Sequence, residues 1–153
     1  MAVITRPVSF REILSAPNAQ TLFDEYSAEC SIPELAPINP QPYLYEAMER
    51  SGGLQCFGVY EDETLVGFAA VLIYVLPHYG KKIATTESIF IAEKQRHYGL
   101  GRELLFYIEK YAKEHGCSVF LYTAPAGSRF AKMLSINADR YRRTNIVYLR
   151  SLA

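Results

Sequence analysis

Between residues 96 and 102 the chain sets Arg96, Gly99, Gly101 and Arg102 in the order Arg-x-x-Gly-x-Gly-Arg. The apolar run Ile89-Phe90-Ile91 comes shortly before this group, and Leu104-Leu105 follow it. That pattern reads as a strand, a basic glycine-bearing turn and the start of an amphipathic helix. The first amides of a helix have no partner within it and lie at the positive end of its dipole. Glycine adds a backbone that can approach a ligand closely and adopt positive φ. The chemistry on offer is the binding of a phosphate or diphosphate, with Arg96 and Arg102 supplying charge. Two glycines could also serve only to start a helix close to a sheet. The coincidence of bases, glycines and helix start favours the anion.

Two nucleotide motifs fit less well. A dinucleotide fingerprint needs a third glycine where Leu104 stands, and a P-loop needs Gly-Lys-Ser/Thr, which does not follow.

The elements that must position this turn are legible around it. Leu54 to Tyr60, Leu65 to Leu76 and Ile83 to Ile91 are apolar, β-rich runs joined by short polar turns, and they predict an antiparallel meander. The helix after the turn runs from Gly99 to about His115, with Leu104, Leu105, Ile108, Tyr111 and Ala112 on one stripe and Gly116 as its stop. Cys117 to Tyr122 is a further strand, expected parallel to the one ending at Ile91. Upstream come a short edge strand within residues 1–8 containing Pro7, and a helical stretch to about Cys30 with Asn18 as N-cap. A loop with four prolines from Ser31 to Pro42 follows, then a helix from Tyr43 to Ser51. Downstream come a short helix from Ala124 to about Ile136 and a last strand or bent pair from Tyr141 to Leu152. The pattern is α+β and one domain over residues 1–153.

Composition excludes several classes. Half of the 153 residues are hydrophobic and the formal net charge is zero, so neither nucleic acid nor membrane is attracted globally. Arg140, Arg142 and Arg143 could meet a phosphate or nucleic acid, but a solvated edge is the simpler reading. The longest apolar run, Leu65 to Leu76, is too short to span a bilayer. The three cysteines are isolated and the histidines lack zinc-ligand spacing, which predicts reduced thiols in a cytoplasmic protein and no metal.

The run Arg96-x-x-Gly99-x-Gly101, with a strand before and a helix after, resembles the acetyl-CoA-binding motif of the GNAT superfamily of N-acetyltransferases, Gln/Arg-x-x-Gly-x-Gly/Ala. Glu93 departs from it, since many members have proline there. The resemblance implies a GNAT-like mixed, mostly antiparallel central sheet flanked by helices and splayed at the cofactor strand. It implies acetyl-CoA as co-substrate, with the diphosphate on the N–H groups of His97, Tyr98, Gly99, Leu100, Gly101 and Arg102. The amide-rich pantetheine arm would pair with the backbone of Ile89, Phe90 and Ile91. The reaction it implies is direct attack of an amine on the thioester.

A protonated amine is no nucleophile, so a base must take its proton. Glu87, on the strand just before the cofactor segment, is the candidate, and strict alternation puts it on the face of Ile89 and Ile91. A solvated strand carboxylate is the plain alternative. The family commonly supplies a tyrosine on the last helix as acid for the leaving thiolate. Ser135 or Ile136 stands there, so Tyr141 is the nearest substitute, with Tyr122 behind it. Residues 1–66 hold ten acids against three bases, and residues 67–153 hold thirteen bases against six acids. An acidic acceptor half beside a basic cofactor half would suit a cationic amine. A GNAT-fold module that binds acyl-CoA without turnover is the second reading. The aromatic, β-rich C-terminus could support a homodimer.

Overall fold

The computed structural model describes residues 2–153, apart from the side chains of His97 and Tyr98. Strand β1 (Val3–Val8) leads to two short helices, α1 (Phe10–Leu14) and α2 (Ala19–Cys30), and then to α3 (Pro42–Arg50). The meander follows as β2 (Leu54–Glu61), β3 (Thr64–Leu76) and β4 (Lys81–Ile91). Helix α4 (Leu100–Glu114), strand β5 (Val119–Leu121) and helix α5 (Arg129–Ile136) complete the order. The sheet runs β1-β2-β3-β4-β5, antiparallel except for the parallel pair β4–β5. The α+β architecture expected from the sequence is therefore present.

Local chemistry explains the element ends. The β2–β3 hairpin turns on Asp62 and Glu63, both at positive φ (48° and 70°), as tight turns between twisted strands require. Pro42 opens α3 at a position where a helix has no use for an N–H. Ser128 caps α5 by accepting the Ala131 N–H at 3.1 Å. Gly116, at φ 82°, ends α4.

The sheet carries a core on each face. Against α4 lie Phe57, Val59, Val71, Ala84 and Ile91, with Leu104 and Ile108 fully excluded from solvent. Each such side chain contributes about 1.5–3 kcal/mol by burial. Under α1, α2 and α3 lie Ile13, Leu22, Cys56, Leu65, Phe68 and Phe90. The strands alternate cleanly between the two, as Phe68, Ala69, Ala70 and Val71 show.

Four expectations are revised. Asn18 stands at the N-cap of α2 but does not cap it; its side-chain amide donates to the Leu65 carbonyl at 2.7 Å, fastening the helix to β3. The proline-rich loop contains a short 3-10 helix at Pro33–Leu35. β5 is shorter than the run Cys117 to Tyr122. The stretch from Tyr141 onward forms no strand: it carries no regular structure, and Val147, Tyr148 and Leu152 are 85–92% exposed. Strand propensity expresses fit to a neighbouring strand, and none lies beside this tail among the described residues.

Gly67 on β3 lies tight against β4: a Cβ there would lie 2.5 Å from Ile91 Cδ1 and 2.8 Å from the Phe90 carbonyl oxygen. Gly67→Ala is expected to destabilise the fold by about 1–3 kcal/mol, read as a lower urea midpoint at unchanged m-value. An unchanged midpoint would contradict this packing.

Candidate active site

β4 has two unequal edges. Along one it pairs with β3 from Lys81 to Ile91. Along the other it pairs with β5 only at Ile83, Ala84 and Thr85. Two hydroxyls mark the fork: Thr85 Oγ1 donates to the Leu121 carbonyl at 2.7 Å, and Thr86 Oγ1 accepts the Thr123 N–H at 3.5 Å. Past it, that edge of β4 has no strand partner among the described residues. The Ala92 N–H donates to the Val66 carbonyl at 2.9 Å. By the two-residue period of a ladder, Phe90 turns its backbone groups to β3, while Ile89 and Ile91 turn theirs to the open side.

Just beyond the fork the ladder slips. Ala70 faces Ser88 and Val71 faces Thr86, leaving Glu87 as the extra residue of a β-bulge. The expectation that Glu87 shares a face with Ile89 and Ile91 is corrected. Ile89 and Ile91 pack on the α4 side, whereas Glu87 and Ser88 line a cleft of about 330 Å³ under α1, α2 and α3. There Tyr45 on α3 donates its hydroxyl to Glu87 Oε1 at 2.7 Å, and its ring stacks on Phe10 with centroids 3.8 Å apart. Burial, then the Glu87 charge and this hydrogen bond, push the Tyr45 hydroxyl far above the ordinary phenol range, so it remains a donor. Burial likewise raises Tyr26, in the same cleft, to about 12. Sequence reasoning missed Tyr45; nothing local to position 45 signals a partner at position 87.

The stretch after Ile91 forms a 3-10 helix, Glu93–Tyr98, and ends on Gly99 at φ 74°, which serves as N-cap of α4. No side chain caps that end. The first amide of α4 with a partner inside the helix is that of Glu103, which donates to the Gly99 carbonyl at 3.1 Å. Those of Leu100, Gly101 and Arg102 form the uncapped first turn, and the side chain of Arg102 is exposed. A Cβ built on Gly101 meets no atom within 4 Å. Protein packing therefore does not demand glycine here, and the alternative of close helix–sheet contact fails at this position. The space at Gly101, beside a turn with no side-chain cap among the described residues, is open, as an anion requires.

The remaining predicted residues fall out as follows. Leu100 is buried in the α4 core, and Phe90 in the core of the opposite face. The side chains of His97 and Tyr98 lie outside the described residues. Arg96 turns back from the turn: its Nε donates to the Ile91 carbonyl at 2.8 Å, its terminal nitrogen pairs with Glu29 at 2.7 Å, and its guanidinium lies over the Phe90 ring. Tyr141 is not brought to Glu87. It packs on the α4 side, where its hydroxyl donates to Glu109 Oε2 at 2.9 Å and accepts from Arg140 Nε at 3.2 Å. Tyr122 donates to the same carboxylate at 2.7 Å. Burial chiefly raises both phenols. Burial also pushes Cys56 up to about 12, so it is no thiolate nucleophile.

The acetyltransferase (GNAT) family model matches residues 19–133. The chain belongs to this family. As a GNAT protein it is an N-acetyltransferase, and its fold is that of solved members. A ribosomal-protein-alanine N-acetyltransferase from Brucella melitensis biovar Abortus 2308 superposes with TM-score 0.73 at 16% identity, covering 99% of this chain and 100% of that one. An aminoglycoside acetyltransferase from an uncultured soil metagenomic sample gives 0.75 at 13%, over 100% and 99%. AAC(6')-Iy, in complex with the bisubstrate analogue CoA-S-monomethyl-acetylneamine, gives 0.71 at 15%, over 100% of both chains. No curated protein is significantly similar in sequence. The family uses acetyl-CoA, and the open space at Gly101 beside a helix turn that no side chain caps among the described residues fits its diphosphate.

Gly101→Ala separates stability from binding. The methyl has room, and alanine favours a helix interior over glycine by about 0.5–1 kcal/mol. The expected variant melts at the same or a higher temperature yet binds CoA about tenfold more weakly by calorimetry. Unchanged affinity would remove the anion site from this turn.

Proposed function

We propose that the chain transfers the acetyl group of acetyl-CoA to a primary amine by direct attack within a ternary complex, with Glu87 as general base. The observation that carries this reading is contiguity. The open edge of β4, the uncapped first turn of α4 and a carboxylate facing a cleft all fall within residues 86–102.

The amides of Leu100, Gly101 and Arg102, with the Arg102 guanidinium, would hold the diphosphate. The outward backbone groups of Ile89 and the Ile91 N–H would hold the pantetheine arm, the Ile91 carbonyl being taken by Arg96, and buried Phe90 would fix the strand between them. Arg96 caps the Ile91 carbonyl and ties the turn to α2 through Glu29, a positioning role. When bound, acetyl-CoA supplies an activated acyl group whose thiolate is a good leaving group at neutral pH. Glu87 holds one oxygen on Tyr45 and keeps the other for the ammonium proton of the acceptor. Tyr141 lies on the other side of the sheet from Glu87, so thiolate departure proceeds without it.

Glu87→Gln keeps the shape and the Tyr45 contact but cannot take a proton. Thiol release with a suitable amine is expected to fall about 10²–10³-fold, while calorimetric affinity for CoA is unchanged. A variant as fast as the parent would take Glu87 out of the chemistry. Tight CoA binding with no thiol release from the parent, across amine classes, would favour the binding-module reading.

We further infer a homodimer, supported by the unpaired tail after Tyr141 with its exposed Ile146, Val147, Tyr148 and Leu152. Light scattering is expected to give twice the chain mass for the full protein and the chain mass after truncation at Arg143. A monomeric full-length chain would overturn this.

A further inference from the structure

The cleft in front of Glu87 says which amines it can hold, an inference that rests on the acetyl-transfer reading. Of its lining side chains, which include Phe10, Tyr26, Leu44, Tyr45 and Phe68, only Glu87 carries a charge. None of the ten acids among residues 1–66 lines it. Glu12 pairs with Arg6 at 2.7 Å, Glu46 with Arg11, and Glu29 with Arg96 at 2.7 Å. The Glu49 carboxylate accepts the Phe10 N–H at 3.3 Å. The expectation of an acidic acceptor wall thus reduces to one carboxylate in a largely aromatic and aliphatic cleft whose other polar side chains, among them Asn39, Gln41 and Ser88, are neutral.

One of the Glu87 oxygens is already occupied by Tyr45. A single ammonium can therefore be paired, and its ring or alkyl body is received by the stacked Phe10–Tyr45 pair and by Phe68, on which Tyr26 packs edge-on at 5.4 Å. A second ammonium would lose its water among these walls without gaining a counter-charge. The volume, about 330 Å³, is at the small end of ligand sites.

We propose that the acceptor is a monocationic primary amine carried on an apolar, aromatic-compatible body, and that polycations such as polyamines and aminoglycosides are excluded. The same chemistry could come from a free arylalkylamine or from the α-amino end of a peptide that begins with an aromatic residue.

The test compares phenethylamine, the tripeptide amide Phe-Ala-Ala, spermidine and neamine. Binding is measured by calorimetry on the protein without acetyl-CoA, and thiol release with it. One of the two aromatic amines is expected to bind and react at least about tenfold better than either polycation, and the better of the two names the source. Leu44→Glu adds a second carboxylate at a position 49% exposed, where folding is readily checked by circular dichroism. It is expected to narrow that ratio about tenfold or more. Spermidine or neamine matching the aromatic amines in the parent overturns the proposal while leaving acetyl transfer in place. Binding of an aromatic amine with no turnover of any amine supports the ligand class and fells the acetyl-transfer reading instead. Equal binding of all four overturns the proposal.

Discussion

The rest of the structure depends on β4 being bonded along its whole length on one side and for three residues on the other. A backbone donor or acceptor at the centre of a sheet needs a partner, and past Thr85 that edge has no strand beside it among the described residues, only the Arg96 side chain on the Ile91 carbonyl. The two threonines at the fork make the change abrupt, because side-chain hydroxyls take over where main-chain bonds stop. β5 pairs no further, and β4 runs on from Thr86 to Ile91 with that edge open to an extended chain. The uncapped first turn of α4 follows the open edge within a few residues, so both features come from one uninterrupted piece of chain.

The two faces of the sheet divide the work. On the α4 side the packing is dense, and the polar groups that reach it are tied to one another, as Tyr122, Tyr141 and Arg140 are to Glu109. On the α1–α3 side three short helices cannot close over the sheet, and the gap left between them and β4 is the cleft. Helices of five, twelve and nine residues are also held there by contacts specific to each, such as Asn18 on Leu65 and the Phe10–Tyr45 stack. Side chains of the α1–α3 wall can therefore change without touching the packing of β4 against α4.

The glycine turn was readable because its residues have positional meaning: a glycine whose missing Cβ faces open space signals the same thing in sequence and in structure. The meander was readable from its alternation and short turns. What failed were the inferences that needed a distant partner. Arg96 looks like a phosphate ligand until Glu29, far away in sequence, claims its guanidinium. Tyr141 looks like an acid until its hydroxyl is seen donating to Glu109 on the other face of the sheet. The tail after Tyr141 has the composition of a strand, but composition cannot say whether an edge is there to receive it. Tyr45 carried no local signal at all.

The bulge at Glu87 has an evolutionary corollary. Because one supernumerary residue reverses which side chains look up and which look down for the remainder of β4, the site is written in the parity of the strand as much as in its letters. Substitutions along Thr85–Ile91 can drift while the acid stays over the cleft, whereas inserting or removing a single position outside the slip turns one flank of the strand over relative to the other. Within this segment, homologous positions should be matched by counting from the slip outward, not by similarity of residue type.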